Sequence, residues 1–524
     1  MTMDAAIRPV AGSGVEEVTV MLTGEETFPA MEKAFLEAER EIWASYRVFD
    51  LSTRLRSAEG KEIGETWFEL LVHVLGKGVA VNIVLSDFDP ILGQSYHAMS
   101  WRTRKAFAAA REIAGSGARL KVANAQHPAR VGMLPRLLLW PAIAYKLHEL
   151  ANDLNALDPH LRRGQLRIRP GLVRWLRQKE DGTVRARVAV PPTLVPGTHH
   201  QKMAVFDRSL LCIGGLDLDE RRFDTKGHHE RRDRTWHDVQ LFCRGPVVAE
   251  AQEHLETFLD VTAAVSAPPR AERLLRTLSG RRSFVAPFLG PKPLVSELAE
   301  AHRRAVHSAR ETIYLETQFF RDRALADELA KAAAARPDLG LILILPAAPE
   351  TVAFVDDVSS DARYGEYVQV KCIDTLTEAF GDRAAFCSPV KPKRAEDSNG
   401  RDTLAGSSII YVHAKVSIFD DTSAIVSSAN LNGRSLYWDT EAGVRLDRRD
   451  HVEALRRRTW AHWLAEDADP ELFDVSGAAL RWRRLAAQNQ SAEPANRDGF
   501  LVPYDLEAAR RIGRNLPFVS ERMV

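Results

Sequence analysis

Two stretches decide the reading: His199–Leu218, HHQKMAVFDRSLLCIGGLDL, and Tyr411–Leu431, YVHAKVSIFDDTSAIVSSANL. In the first, His200 precedes Lys202, four residues lead to Asp207, and six more lead to Gly214 and Gly215. In the second, His413 precedes Lys415, four residues lead to Asp420, and six more lead to Ser427 and Ser428. The intervening residues, Met203–Phe206 and Val416–Phe419, are β-formers. A strand of period two puts His200 and Lys202 on one face, and His413 and Lys415 likewise. Each Asp falls near a turn. A further apolar strand, Leu210–Ile213 or Ala424–Val426, then ends in small residues that let backbone approach a ligand closely.

The surroundings repeat as well. Phe28–Glu41 reads as an amphipathic helix running into the apolar strand Ile42–Phe49, and Leu294–Arg310 reads as another running into Thr312–Phe320. Each is followed by a further helix and a continuous apolar strand, Val79–Leu85 and Leu339–Leu345. This alternation predicts sheets covered by helices. The fold class is therefore α/β: two similar lobes, each a β-sheet flanked by helices. The expected boundaries are an N-terminal segment 1–17, a first lobe 18–266, a linker 267–293, a second lobe 294–485 and a tail 486–524. The first lobe is the longer, and the excess is placed at about 125–195. That insert holds LPRLLLWPAIAYKL, Leu134–Leu147, read either as part of a buried helix pair or as an interfacial element touching membrane or acyl chains.

Composition bounds the partners. The 524 residues, at roughly 150 per domain, allow about two to four domains. Apolar residues at 45% and charged residues at 27% are ordinary for a globular protein and exclude a disordered or disulfide-scaffold chain. Lys+Arg and Asp+Glu both number 71, which argues against nucleic-acid binding through bulk charge. Cys212, Cys243, Cys372 and Cys387 form no CxxC or zinc-type spacing and read as reduced core thiols. His199, His228, His229 and His237 gather near the first motif, also without metal-ligand spacing. The N-terminus shows no signal-peptide pattern, and Pro135, Arg136 and Pro141 break the longest apolar run. The expected location is cytoplasmic or peripheral at a membrane, with secretion lacking a recognisable signal as the alternative.

A histidine beside a lysine suits phosphoryl transfer. The ammonium neutralises phosphate oxygens, and the imidazole attacks phosphorus or shuttles a proton near neutral pH. One copy alone reads as a strand-end histidine beside a solvated lysine. Two copies on matching strand–turn–strand units supply a nucleophile and an acid, the latter worth about 10²–10⁴ in rate.

On these residues the sequence resembles the phospholipase D superfamily, whose signature is a duplicated HKD motif. The resemblance runs over roughly residues 18–470. The segments IYLETQFF, Ile313–Phe320, and GGLDLDERRFDT, Gly214–Thr225, are similar to phosphatidylcholine-type members. It implies two lobes, each a mixed β-sheet, pseudo-twofold related with the active site between them, a phosphohistidine intermediate, no metal in the chemistry and no cofactor. It implies His200 as nucleophile and His413 as acid and base, although the symmetry of the motifs leaves that order open at this level. Lys202, Lys415, Asn430 and Ser428 are the implied phosphate ligands, with Asp217 a weaker one at the first-copy asparagine position. Asp238 and Glu441 are the implied holders of the far ring nitrogens. Asp207 and Asp420 complete the catalytic motifs, with a structural role at the turn favoured. Ser427 in place of glycine and Thr317 in place of asparagine are small departures.

The implied activity is hydrolysis of glycerophospholipids, phosphatidylcholine first, to phosphatidate and head-group alcohol, with transphosphatidylation open to the same intermediate. The partner would be phospholipid at a membrane surface, and the protein a monomer with an internal pseudo-dimer. Rival readings are a cardiolipin synthase-type phosphatidyltransferase, a nuclease of the superfamily and an inactive binding scaffold. Absent membrane spans, neutral charge and two complete motifs count against them in turn.

Overall fold

In the computed structural model, which describes residues 12–355, 359–397, 400–517 and 519–524, the apolar runs become two sheets of matching order. The first lobe contributes β1 (Glu17–Leu22), β2 (Glu41–Tyr46), β3 (Ala80–Asp87), β4 (Leu120–Gln126), β5 (Met203–Phe206), β6 (Leu210–Gly214) and β7 (Val239–Arg244). The second contributes β8 (Leu274–Gly280), β9 (Thr312–Thr317), β10 (Gly340–Ile344), β11 (Ala384–Arg394), β12 (Lys415–Phe419), β13 (Ser423–Ser427) and β14 (Glu441–Leu446). The first sheet runs β1-β7-β6-β5-β2-β3-β4, and the second repeats it as β8-β14-β13-β12-β9-β10-β11 with short edge additions. In both, the strand pairs on the last-named side are parallel and the motif strands antiparallel. The α/β fold with two mixed, helix-flanked sheets is thus as the sequence predicts.

Period two sorts the side chains into layers. Met203, Val205 and Ile213 of the first sheet join Val416, Ile418, Val426 and Val444 of the second in one shared core. Ala204, Phe206 and Cys212 face the first lobe's helices, while Leu341, Leu343 and Phe419 face the second lobe's. The two sheets therefore meet through a common interior, which holds the ends of their motif strands in fixed relation. All four cysteines are free and buried.

Several boundaries move. The first helix spans Thr23–Glu37, earlier than expected, with Glu26 accepting from the Leu22 amide to start it and Pro29 tolerated in its first turns. The 267–293 stretch is not a linker. It carries β8, the counterpart of β1, which pairs with β14 as β1 pairs with β7. Its Pro and Gly residues lie around that strand and hid it. The 485 boundary falls inside the helix Ala478–Ser491, and the supposed tail returns Leu501–Pro503 to pair with β11. Of the 1–17 segment, residues 1–11 lie outside the described residues.

The insert holds the helix Met133–Ala156, two shorter helices and the hairpin Leu176–Gln178/Val184–Ala186. It has its own small core, including Ile143, Leu147, Leu150, Leu172 and Val184. The long helix buries that stripe only. Leu134, Leu137, Leu138 and Tyr145 on its other side are exposed, Leu138 to 84%. A buried helix pair is not what forms. Among the described residues no helix is long and apolar enough to cross a membrane.

Candidate active site

The strands deliver the two motif histidines to the seam between the sheets, and each is held from the opposite lobe. The backbone amide of His200 donates to Thr440 O (2.9 Å), and that of His413 donates to His237 O (2.8 Å). These are equivalent contacts, one residue before Glu441 and one before Asp238. They set up a crossed pair. His200 Nδ1 lies 2.9 Å from Glu441 Oε1, and His413 Nδ1 lies 2.6 Å from Asp238 Oδ2. With Nδ1 engaged, each Nε2 is the reacting nitrogen.

The small pair in each motif serves these acids. A Cβ on Gly215 would stand 2.2 Å from Asp238 Oδ1, so glycine lets that carboxylate lie against the end of β6. In the second lobe Ser428 occupies the same place and its hydroxyl donates to Glu441 Oε2. The expectation that Ser428 binds phosphate is corrected: its hydroxyl is committed to the carboxylate that orients His200.

Both lysines are buried, Lys202 to 0% exposure and Lys415 to 3%. Lys202 Nζ lies 3.4 Å from His200 Nε2 and 3.9 Å from Asp217 Oδ2, while Lys415 Nζ donates to the His413 carbonyl. Asp217 thus acts as counter-ion to Lys202, with its other oxygen accepting from the Val48 amide (2.9 Å). An anion-binding role does not suit it. Asn430 Nδ2 donates to Gln318 Oε1 (3.2 Å), leaving its own buried Oδ1 without a hydrogen bond.

Asp207 and Asp420 are at the far ends of β5 and β12, about 20 Å along the chain from the histidines at ~3.3 Å per residue. Their assignment as catalytic groups is corrected. Asp207 accepts from the amides of Glu39, Arg40 and Glu41 at 2.8–2.9 Å, and Asp420 from those of Arg310, Glu311 and Thr312 at 2.7–2.9 Å. Each fastens the start of the neighbouring strand, β2 or β9. Asp207→Ala is expected to lower unfolding free energy by about 1–3 kcal/mol and leave the turnover of folded protein within about twofold. Denaturant titration beside an activity assay checks it.

One residue was missed from the sequence. Arg222 is 4% exposed, its guanidinium lies 3.8 Å from the Trp236 ring centre, and the Trp236 ring in turn lies 4.8 Å from that of His413, tilted by 38°. Its Nε and Nη1 are buried without a hydrogen-bond partner. A cation with unused donors beside a reacting imidazole is suited to a phosphate oxygen. Its only sequence signal was the arginine in GGLDLDERRFDT. By contrast Arg456 and Arg458 bind Asp421 and Glu26 within the protein.

Burial pushes every central group towards its neutral form. It lifts Glu441 to about 8 against the pull of Lys202, and Asp238 to about 6 against Lys415. Burial, then the adjacent lysine, holds His200 and His413 well below the usual imidazole range. Burial also draws Lys415 down to about 7, opposed by Asp238. A phosphodiester anion needs Lys415 charged, and that form is lost as pH rises through about 7. The neutral nucleophile persists well below pH 6.5. We expect kcat/KM on a soluble phosphodiester to fall as pH rises through about 7, since the charge on Lys415 and the proton that His413 must donate are both lost in that direction, with limbs belonging to the coupled set. A rate rising through pH 7–9 contradicts this.

The chain is similar to several known proteins. The family model described as cardiolipin synthase, PLD-like domain, matches residues 302–463. Phospholipase D alpha 1 of Oryza sativa subsp. japonica is 21% identical over 354 residues, covering 46% of this chain and 44% of that protein. Phospholipase D alpha 1 of Cynara cardunculus is 22% identical over 447 residues, covering 60% and 55%. Phospholipase D zeta 1 of Arabidopsis thaliana is 24% identical over 189 residues, covering 32% and 17%. The chain spans about half or less of the length of these curated relatives. The crystal structure of phosphatidylserine synthase from Haemophilus influenzae Rd KW20 shares the fold, with a TM-score of 0.50, 12% identity, and coverage of 86% of this chain and 88% of that one. Residues 302–463 thus match a PLD-like domain, and the chain is similar to proteins named phospholipase D.

Proposed function

We propose that this protein is a phospholipase D-type phosphodiesterase acting on glycerophospholipids, phosphatidylcholine foremost. The observation that carries the reading is the crossed pair, His200–Glu441 and His413–Asp238, around two buried lysines. In the reaction, His200 Nε2 forms a bond to phosphorus as the P–O bond to the head group breaks, and His413 Nε2–H protonates the departing oxygen. His413 then takes a proton from water as that oxygen displaces His200, leaving phosphatidate. Lys202, Lys415, Arg222 and Asn430 hold the phosphate oxygens. The order is supported by exposure: the His200 side chain is 12% exposed and that of His413 1%. An alcohol in place of water gives transphosphatidylation.

The test is a panel of phospholipid vesicles assayed for released choline, ethanolamine, serine and glycerol, with His200→Ala as control. Choline release lost in the variant supports the proposal, and no head-group release from any lipid sinks it. The family model's description favours a second reading, phosphatidyl transfer of the cardiolipin synthase type. Cardiolipin formed from phosphatidylglycerol alone, without net hydrolysis, would establish that instead.

Lipid reaches such a site from a surface, and the insert offers one. The amides of Gly132 and Leu134 bond to Phe288 O and Ala286 O, which joins the helix start to a loop where Phe284 is 66% exposed. A Cβ on Gly290, at the end of that loop, would stand 2.3 Å from the Trp438 ring. Trp438 lies three residues before Glu441, which links the helix start through that loop to the segment carrying the site acid. One leucine withdrawn from water is worth about 1.5–3 kcal/mol. Leu138→Asp is expected to lower kcat/KM on vesicles by about 10- to 100-fold and leave a soluble short-chain substrate unaffected. Equal losses on both would contradict a membrane role.

A further inference from the structure

The backbone that presents Asp238 to His413 carries His237 just before it, and neighbouring residues of an extended chain point to opposite sides. On that other side His237 meets His228, from the segment after the first motif, and His462, from the second lobe's helix Arg449–Trp463. One ring nitrogen from each lies within 4.8 Å of the others, and all three residues are buried. The sequence spacing had pointed to no metal site, because His462 is remote from the other two and His199 and His229 are not part of the group.

The rings are prepared as ligands. His228 Nδ1 lies 2.7 Å from the buried Asp224 Oδ2, which fixes the proton there and leaves Nε2 with a lone pair. That Nε2 faces His462 Nε2 at 2.9 Å. His237 Nε2 lies 2.7 Å from the buried Glu316 Oε1, yet neither nitrogen of His237 nor that oxygen has a hydrogen bond of acceptable geometry. Glu316 is held by Tyr314 Oη (2.7 Å) and Trp463 Nε1 (3.3 Å) through its other oxygen. A buried polar group left unsatisfied costs about 1–3 kcal/mol, so the enclosed His237 nitrogens, beside the facing Nε2 atoms of His228 and His462, call for a partner.

We propose that His228, His237 and His462 bind a divalent transition-metal ion of the zinc class, clamping the two lobes behind the Asp238–His413 pair. Three imidazoles are a ligand set suited to zinc, with a fourth tetrahedral position open to water or to a shifted Glu316. Carboxylates behind two of the ligands, Asp224 and Glu316, orient the rings and supply two negative charges, which with neutral imidazoles balance a divalent ion. The ion would touch no substrate. Its role is positioning, because the His237 carbonyl that receives the His413 amide lies on a ligand residue. The site comes from the side chains alone and does not depend on the lipase reading.

The test uses the full chain, stripped with chelator, incubated with Zn²⁺ alone, desalted and measured by elemental mass spectrometry. The expected result is about one zinc per chain, with a higher melting temperature than the stripped protein. His228→Gln and His462→Phe should each lose the zinc and the melting shift, while circular dichroism reports that they fold. Cobalt substitution should give the visible bands of a nitrogen-rich site in wild type only. No zinc retained by wild type overturns the proposal. So does zinc retained undiminished by both variants, which marks surface binding elsewhere. Stoichiometry needs no substrate, so its failure is separate from any failure of phospholipid hydrolysis.

Discussion

His413→Asn is expected to stall the reaction halfway rather than abolish it. With His413 gone, a departing alkoxide has no proton donor, so turnover of an alkyl phosphodiester falls by about 10²–10⁴. A p-nitrophenyl ester needs no such help, since its leaving group is stable as an anion. That substrate should still load His200, and the adduct should then persist, because no base remains to activate water. The readout is a burst of about one nitrophenolate per chain, with the added mass on the peptide carrying His200. His200→Ala should give neither burst nor adduct, with a loss of about 10⁴–10⁶ in rate. A burst in His200→Ala and none in His413→Asn would reverse the two roles.

The second large effect belongs to the crossed acids. Asp238→Asn and Glu441→Gln each keep shape and replace with an amide the carboxyl group that holds the ring Nδ1 and sets the tautomer, a change that lowers kcat by about 10⁴ in a related arrangement. Their signatures should differ. Asp238 holds His413, the proton donor, so Asp238→Asn should hurt poor leaving groups most and spare nitrophenyl loading. Glu441 holds His200, the nucleophile, so Glu441→Gln should slow loading whatever the leaving group. Each acid thus acts on the other lobe's histidine. Steady-state and burst kinetics on paired alkyl and nitrophenyl substrates check this. The opposite leaving-group dependence would mean the acids serve their own lobes.

The duplicated motif, the repeated strand–helix order and both histidine–lysine pairs were readable, because each rests on local periodicity and short spacing. What lay beyond reach is long-range. Glu441 and His200 are 241 positions apart, and Asp238 and His413 are 175 apart. The family resemblance named both acids as holders but could not say that they cross between lobes. Arg222 is one basic residue among several in the sequence, and only the fold sets the Trp236 ring between it and His413. The strand Leu274–Gly280 was hidden because proline and glycine on either side of it read as turn chemistry. Motif membership drew Asp207 and Asp420 into the catalytic set, and only the strand's length separates them from it. The three-histidine cluster unites residues whose spacing matches no metal pattern.

The central claim is that two imidazoles act in turn on one phosphorus, giving two displacements. Stereochemistry at phosphorus tests it most directly. A phosphodiester made chiral with oxygen isotopes or sulfur, turned over by the wild-type chain, should yield product with retained configuration, since two in-line inversions cancel. Inverted configuration would mean that water attacks the substrate directly and that no histidine is ever bonded to phosphorus.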